Sequence, residues 1–376
     1  MIYLDNAATT AVKQEILDTY NELNRSFFAN PSSPHRLGKE VDVLLLQAKK
    51  NILSTFNLNN HRVIFTSGAT EANNMFLKGA YLNYKNRGNK IVTSAGEHPS
   101  VRATLYQLAK HFEAEIVEIP LLSTGEVDLD KLKKAIDKNT IICSLIAVNN
   151  ETGAINDIEE VAVFLKSFPK CLFHVDATQA VGKVELSYQN VDAFTFSAHK
   201  LGGVKGSGAL IVKKHIKLVS LLSGGTQEEG YRAGTPNVAA NIVLAKTLRL
   251  AIDDQKRNEE IIKAVFGKMM SFLQSFNRVK LNSTSLGSPY IVNFSLLDRK
   301  ASVIVEALSN KDINVGTLSA CSSRLDKLSP TILSMSNDES LASNTIRVSF
   351  SNETKLEEVD EFITELKNVL SEVKYG

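Results

Sequence analysis

Short, almost wholly apolar runs alternate with stretches of helical periodicity, and this constrains the chain more than any other feature. The runs fall at 62–66, 90–94, 115–119, 140–148, 171–176, 191–197 and 208–213. The longest, Ile141 to Val148, is apolar at nearly every position, so neither of its faces is built to meet water. Between most of them, at 70–84, 99–111, 128–137 and 157–167, apolar residues recur at helical spacing. Strands buried on both sides and separated by helices belong to a largely parallel sheet covered on both faces. The expectation is an α/β fold whose large domain holds a mainly parallel seven-stranded sheet flanked by helices.

Ahead of the sheet lie a helical pattern around 12–24 and a longer one in which Val41, Leu44, Leu45, Ala48, Ile52, Leu53 and Phe56 share a face. Behind it, a long helical stretch from about 237 to 276 leads into a smaller α+β unit. That unit has strands at 290–296 and 345–350, helices at 300–309 and 355–372, and an irregular loop at 319–330. A chain of 376 residues is long enough for two domains. The reading assigns 15–255 to the large domain, and 1–14 with 256–376 to the small one.

Charge excludes some partners. With 43 basic and 41 acidic residues the net charge is +2, so neither nucleic acid nor a membrane surface is expected. The N-terminus meets an acid at Asp5 without a basic stretch before it, which is not the pattern of a signal peptide. No apolar run approaches the roughly 18 residues of a membrane span. The three cysteines, Cys143, Cys171 and Cys321, are widely spaced and form no CxxC pair, which argues against a disulfide framework and against a metal site. A reducing, cytoplasmic setting is expected, with at least one free thiol.

Three strand ends carry candidate chemistry. The run 191–197 passes into Ser197-Ala198-His199-Lys200 and then glycines, where backbone can approach a ligand closely. Lys200 there is either an amine nucleophile toward a carbonyl or an ordinary strand cap. Ser67 to Asn74 follows the strand at 62–66 and opens a helix, so its free N–H groups and the Thr70 hydroxyl suit a phosphate, or form a bare capping turn. It lacks the spacing of a nucleotide P-loop. Asp176 ends the run 171–176, as a partner for a protonated ring nitrogen or as a helix N-cap. A phosphate cradle, an acid and a lysine are together what pyridoxal phosphate requires.

At this point the chain resembles the cysteine desulfurases, in the class V aminotransferase group of fold-type I pyridoxal-phosphate enzymes. The resemblance rests on Tyr3 to Thr10, Asn30 to Ser33, Ser67 to Asn74, Glu97 to Val101, Asn149 to Gly153, Asp176 to Gln179, Ser197 to Lys200, Arg232 to Asn237, Ser319 to Ser323 and Ile346 to Ser349. These segments run in the family's order from one end of the chain to the other. The resemblance implies that Lys200 carries the cofactor covalently, Asp176 holds the ring nitrogen and Gln179 the phenolic oxygen. It makes His98 the ring-stacking, proton-transferring histidine. Ala69, Thr70, Ser197 and His199 fall at the phosphate end, with Thr235 completing the site of the other subunit in a homodimer. Asn149 and Arg347 would grip the substrate carboxylate, and Cys321 would be the nucleophile that takes sulfur from L-cysteine. The product would be L-alanine, with sulfur passing to an iron–sulfur scaffold or a thiolation enzyme.

The neighbours of Cys321 (Ser319, Ser322, Ser323, Arg324, Asp326 and Lys327) are polar, whereas Cys143 and Cys171 sit in apolar strands and read as core. Two positions depart from the family pattern: Leu318 stands where Gly is common, and Val204 where Pro is common. Other readings on the same scaffold are an aminotransferase, a lyase acting on selenocysteine or cysteine sulfinate, or a weakly catalytic sulfur carrier.

Overall fold

The computed structural model describes residues 1–317 and 328–372. Its strands are β1 (Ile2–Leu4), β2 (His61–Thr66), β3 (Lys90–Ser94), β4 (Glu115–Ile119), β5 (Thr140–Ile146), β6 (Leu172–Asp176), β7 (Ala193–Ser197), β8 (Gly208–Lys213), β9 (Val279–Leu281), β10 (Ile291–Leu296), β11 (Ile313–Thr317) and β12 (Thr345–Ser349). The seven expected apolar runs are β2 to β8, and they form one sheet in the order β2-β8-β7-β6-β5-β3-β4. Only β8 runs against the others. The α/β fold class and the mainly parallel sheet are as expected.

Each face of this sheet has its own core. One is filled by Val41, Leu45, Phe194, Phe196, Leu244 and Leu248, joining the helices Arg36–Thr55 and Val238–Arg257 to the strands. The other holds Met75, Phe76, Leu105, Leu108 and Leu210 beneath the helices Ala69–Tyr84 and Pro99–Phe112. Each such fully buried side chain contributes about 1.5–3 kcal/mol.

A second sheet has the order β1-β11-β12-β10-β9, with β1 parallel to β11 and the other pairs antiparallel. Sequence periodicity shows only β10 and β12 of these five. The strands β1 and β9 have three residues each, and β11 carries Asn314 and Gly316, so none presents a recognisable apolar run. The long stretch after 237 is two helices, Val238–Arg257 and Glu259–Ser275, parted at Asn258. The break has a packing reason. Leu244 and Leu248 face the core of the first sheet, whereas Ile262, Met269 and Leu273 face that of the second, together with Ile2 and Leu4.

Candidate active site

Parallel register sets the C-terminal ends of β5, β6 and β7 side by side, with Ile146 opposite Asp176 and Asp176 opposite Thr195. There a cleft of about 140 Å³ opens, lined by Ala69, Thr70, His98, Asp176, Gln179, Ser197, His199, Lys200 and Arg347 among others. Nine of the twelve site residues expected from sequence therefore meet in one place. The exceptions are Asn149, Thr235 and Cys321, the last of which lies outside the described residues.

Asp176 is buried, and both its oxygens are held. Oδ1 accepts from the Thr178 amide at 3.0 Å and Oδ2 from Asn73 Nδ2 at 2.8 Å. Asn73 also donates to Ser100 Oγ at 2.9 Å and accepts from Thr195 Oγ1 at 2.6 Å. Ser100 Oγ lies 2.8 Å from His98 Nδ1, and the Ser100 amide donates to the same nitrogen at 3.1 Å. Since Nδ1 accepts, the neutral ring carries its proton on Nε2. Burial lowers the His98 pKa, Asp176 pulls the other way, and Lys200 and Arg347 add to the lowering. His98 is thus positioned as a neutral base or donor within the cleft.

The start of the helix Ala69–Tyr84 and the end of β7 also line the cleft, and a helix start of this kind could hold an anion. Gly68 precedes the helix Ala69–Tyr84, whose first amide, that of Ala69, donates to Ser197 Oγ at 2.7 Å. A Cβ on Gly208 would lie 2.6 Å from Gly68 Cα, so glycine there lets β8 and this turn touch. His199 adds a ring whose pKa falls to about 4, through burial first and then Lys200, Lys205 and Lys183. Its charge is therefore absent at neutral pH, and it contributes hydrogen bonding. Lys200 Nζ donates to the Ala7 and Ala8 carbonyls, each at 2.6 Å, and Gln179 Nε2 donates to Ala7 O at 2.9 Å.

Arg347 reaches the cleft from β12. Its guanidinium donates to Asn150 O at 3.0 Å and to Asp5 Oδ1 at 2.8 Å, while among the described residues the buried Nε has no hydrogen-bond partner. Gly316, opposite on β11, makes room for the pair, since a Cβ there would sit 2.7 Å from Asp5 Oδ1. Asn149 lies behind the cleft wall. Its Oδ1 accepts from the amides of Glu151 and Thr152 and from Thr152 Oγ1, and Nδ2 donates to Gly96 O, so the side chain organises a turn. It is Asn150 that lines the cleft. Thr235 is exposed and away from its own chain's cleft. Its loop is tied to the helix Ala69–Tyr84 by Arg232 Nε donating to Glu71 Oε1 at 2.9 Å. Cys143 and Cys171 are buried, and burial pushes both thiols upward, so neither is a ready thiolate.

Sequence reasoning gave no individual role to Asn73, Ser100, Asp5 or Asn150. Asn73 carried a signal, because it interrupts the apolar face of Ala72, Met75 and Phe76, and a buried amide demands partners. Asp5 carried none that could be matched to Arg347, 342 residues away.

Comparison with known proteins bears on this geometry. A family model described as aminotransferase class-V matches residues 2–362. A NifS/IcsS protein homolog of Lactobacillus delbrueckii subsp. bulgaricus is 35% identical over 368 residues, covering 96% of this chain and 95% of its own. The cysteine desulfurase IscS of Dictyoglomus turgidum is 33% identical over 377 residues, covering 99% and 95%. A solved NifS-like protein superposes with a TM-score of 0.91 at 30% identity, covering 99% of this chain and all of its own. Among the described residues no helix is long and apolar enough to cross a membrane. Matched along nearly its whole length, the chain belongs to the class-V aminotransferase family, among relatives that include the cysteine desulfurases.

Proposed function

We propose that this protein is a pyridoxal-phosphate-dependent cysteine desulfurase that converts L-cysteine to L-alanine and leaves the sulfur as a persulfide on Cys321. The observation that carries the reading is the convergence on one cleft of Asp176 at the end of β6, Lys200 in the turn after β7 and Arg347 on β12 of the second sheet. The residues fit the cofactor. The amine of Lys200, the acceptor Asp176 and the anion end at Ala69, Thr70, Ser197 and His199 match its aldehyde, ring nitrogen and phosphate. Two buried polar atoms of cleft-lining residues, Thr178 Oγ1 and Arg347 Nε, have no hydrogen-bond partner among the described residues.

When bound, pyridoxal phosphate supplies an electron sink at the substrate's α-carbon. The protein does the rest. Arg347, locked by Asp5 and Asn150, offers a planar fork to the α-carboxylate. His98, held neutral and aimed by Ser100, and the Lys200 amine are the groups that hold or move a proton beside the α-carbon. Cys321 supplies the acceptor sulfur: L-cysteine and its thiol become alanine and Cys321–S–SH, with atoms balanced and no outside oxidant. Asn149 acts through the turn it organises, and Thr235 serves the neighbouring site of a homodimer. The small domain is divided from the large one at the break near residue 256. An acceptor protein, an iron–sulfur scaffold or a thiolation enzyme of the cytoplasm, then takes the sulfur.

Mass spectrometry after incubation with cysteine tests the reading. A mass increase of one sulfur is expected on the peptide holding Cys321, with alanine released, and neither should appear in Cys321→Ser. Sulfur found on Cys143 or Cys171, or a keto acid in place of alanine, would sink it.

A further inference from the structure

Lys183 has no part in the chemistry above, yet it is only 8% exposed. It stands four residues after Gln179, and its Nζ donates to Gln179 Oε1 at 2.7 Å. Gln179 Nε2 in turn donates to the Ala7 carbonyl, which also accepts from Lys200 Nζ. Lys183, Gln179, Ala7 and Lys200 therefore form one hydrogen-bonded chain that ends in the cleft. A primary amide has one acceptor oxygen and two N–H donors. With its oxygen turned to a cation and one N–H to a carbonyl, Gln179 keeps a single N–H for the cleft it lines.

We propose that Lys183 is a positioning residue for this site: its ammonium fixes and polarises the Gln179 amide so that an N–H donor faces an anionic oxygen on the bound ring. The inference rests on the cofactor reading and deepens it. A structural role alone accounts poorly for the arrangement, because a buried ammonium beside a neutral amide is costly where a Met of similar length would fill the space. Among the described residues no carboxylate pairs with it. The acids lining the two clefts it borders are Glu185, Glu259, Asp254 and Glu353, and Asp254 is paired with Lys13. The cations Lys256 and Lys263 line one of these clefts, and Lys200 and Arg347 face Lys183 from the site. Burial, with Lys200 and Arg347 adding to it, brings the Lys183 pKa down to about 7. An anionic oxygen held beyond the amide opposes that fall, so charge on the ring and charge on Lys183 support each other.

The test uses the full-length holoprotein and the variants Lys183→Met, Lys183→Gln and Lys183→Arg. Two quantities are read: the affinity of the apoprotein for pyridoxal phosphate by fluorescence, and the pH midpoint of the bound cofactor's absorbance change. In Lys183→Met the midpoint should rise by about one unit and affinity fall about tenfold. Lys183→Gln keeps a donor without the charge and should fall between Met and wild type. Lys183→Arg should restore the wild-type midpoint. A Met or Gln variant that folds with the wild-type midpoint and affinity overturns the proposal, even if its melting temperature has moved. Should the Met variant not fold, the Gln variant decides by the same criterion. A wild-type protein that shows no bound cofactor overturns the cofactor reading and this inference with it.

Discussion

The two sheets reach the same cleft by different means. The seven-stranded sheet delivers Asp176 and Lys200 at places where an apolar strand stops and a turn begins, each within a short stretch of distinctive sequence. The five-stranded sheet delivers Arg347 from the middle of β12, and its partner Asp5 from just beyond β1. The first arrangement begins locally: the strand end sets where the residue emerges, and Asn73 and the Ala7 and Ala8 carbonyls then hold the Asp176 and Lys200 side chains. The second is non-local: the guanidinium is aimed by a carboxylate from the opposite end of the chain and by the Asn150 carbonyl of the other sheet's loop. This division also separates tasks. Under the proposed function the large sheet would face the cofactor and the small sheet what binds over it.

Substitutions can break that division. The largest effect is expected for Lys200→Ala, which should lose covalent retention of pyridoxal phosphate and slow turnover by at least about 10³-fold. Borohydride reduction and peptide mapping check it, and a pyridoxyl group on any other lysine removes Lys200 from its role. Next comes Asp176→Asn. The Thr178 amide can still donate to the new amide oxygen, and Asn73 can turn its own oxygen toward the new NH2, so the fold should persist while turnover drops about 10²-fold, as for loss of one preorganised electrostatic partner. A variant turning over near the wild-type rate would leave Asp176 as a simple cap.

Arg347→Lys sharpens the comparison from the other side. A Lys keeps the charge but not the fork, so KM for cysteine should rise about tenfold or more, with cofactor affinity unchanged. If cofactor affinity falls instead, the two sheets do not divide the work as described. The smallest effect concerns Glu97, buried beside His98. Ser94 Oγ and the Ile146 amide both donate to its Oε1, and burial raises the carboxyl from 4.5 to about 8. Between these values the folded protein holds a proton that the unfolded chain has lost, so Glu97 makes stability fall as pH rises through that window. Glu97→Gln removes this slope. Melting at pH 5.5 and at pH 8 should favour the variant more at the higher pH, by a few degrees. An equal difference at both pH values would show that Glu97 is ionised throughout.

Most of strands β2 to β8 were legible because burial on both faces leaves an apolar mark along them, the edge strand β4 with exposed Glu115 and Glu118 being the weakest. Lys200, Asp176 and Thr70 were legible as strand-end residues, since a polar group just past an apolar run has a defined direction. Much of the remaining site came with the resemblance to a family, including His98, Gln179, Arg347 and Cys321. Neither source revealed what holds these groups. Asn73 joining Asp176 to Ser100, Asp5 meeting Arg347, and Lys183 behind Gln179 depend on how sheets and turns pack. Asn149 shows the same limit: its motif placed it at the substrate, while the turn geometry puts Asn150 on the cleft wall.

By itself the sequence determined the sheet, its helical cover and the strand ends where chemistry gathers, because those follow from local periodicity and from the point where apolar runs stop. Tertiary structure decided the second sheet and the direction of the buried polar groups. Its strands β1 and β9 are too short to show a period, and β1 finds its partner β11 more than 300 residues away. A buried ammonium, guanidinium or amide takes its orientation from whatever donor or acceptor packing brings within 3 Å, and that distance is set by the whole chain at once.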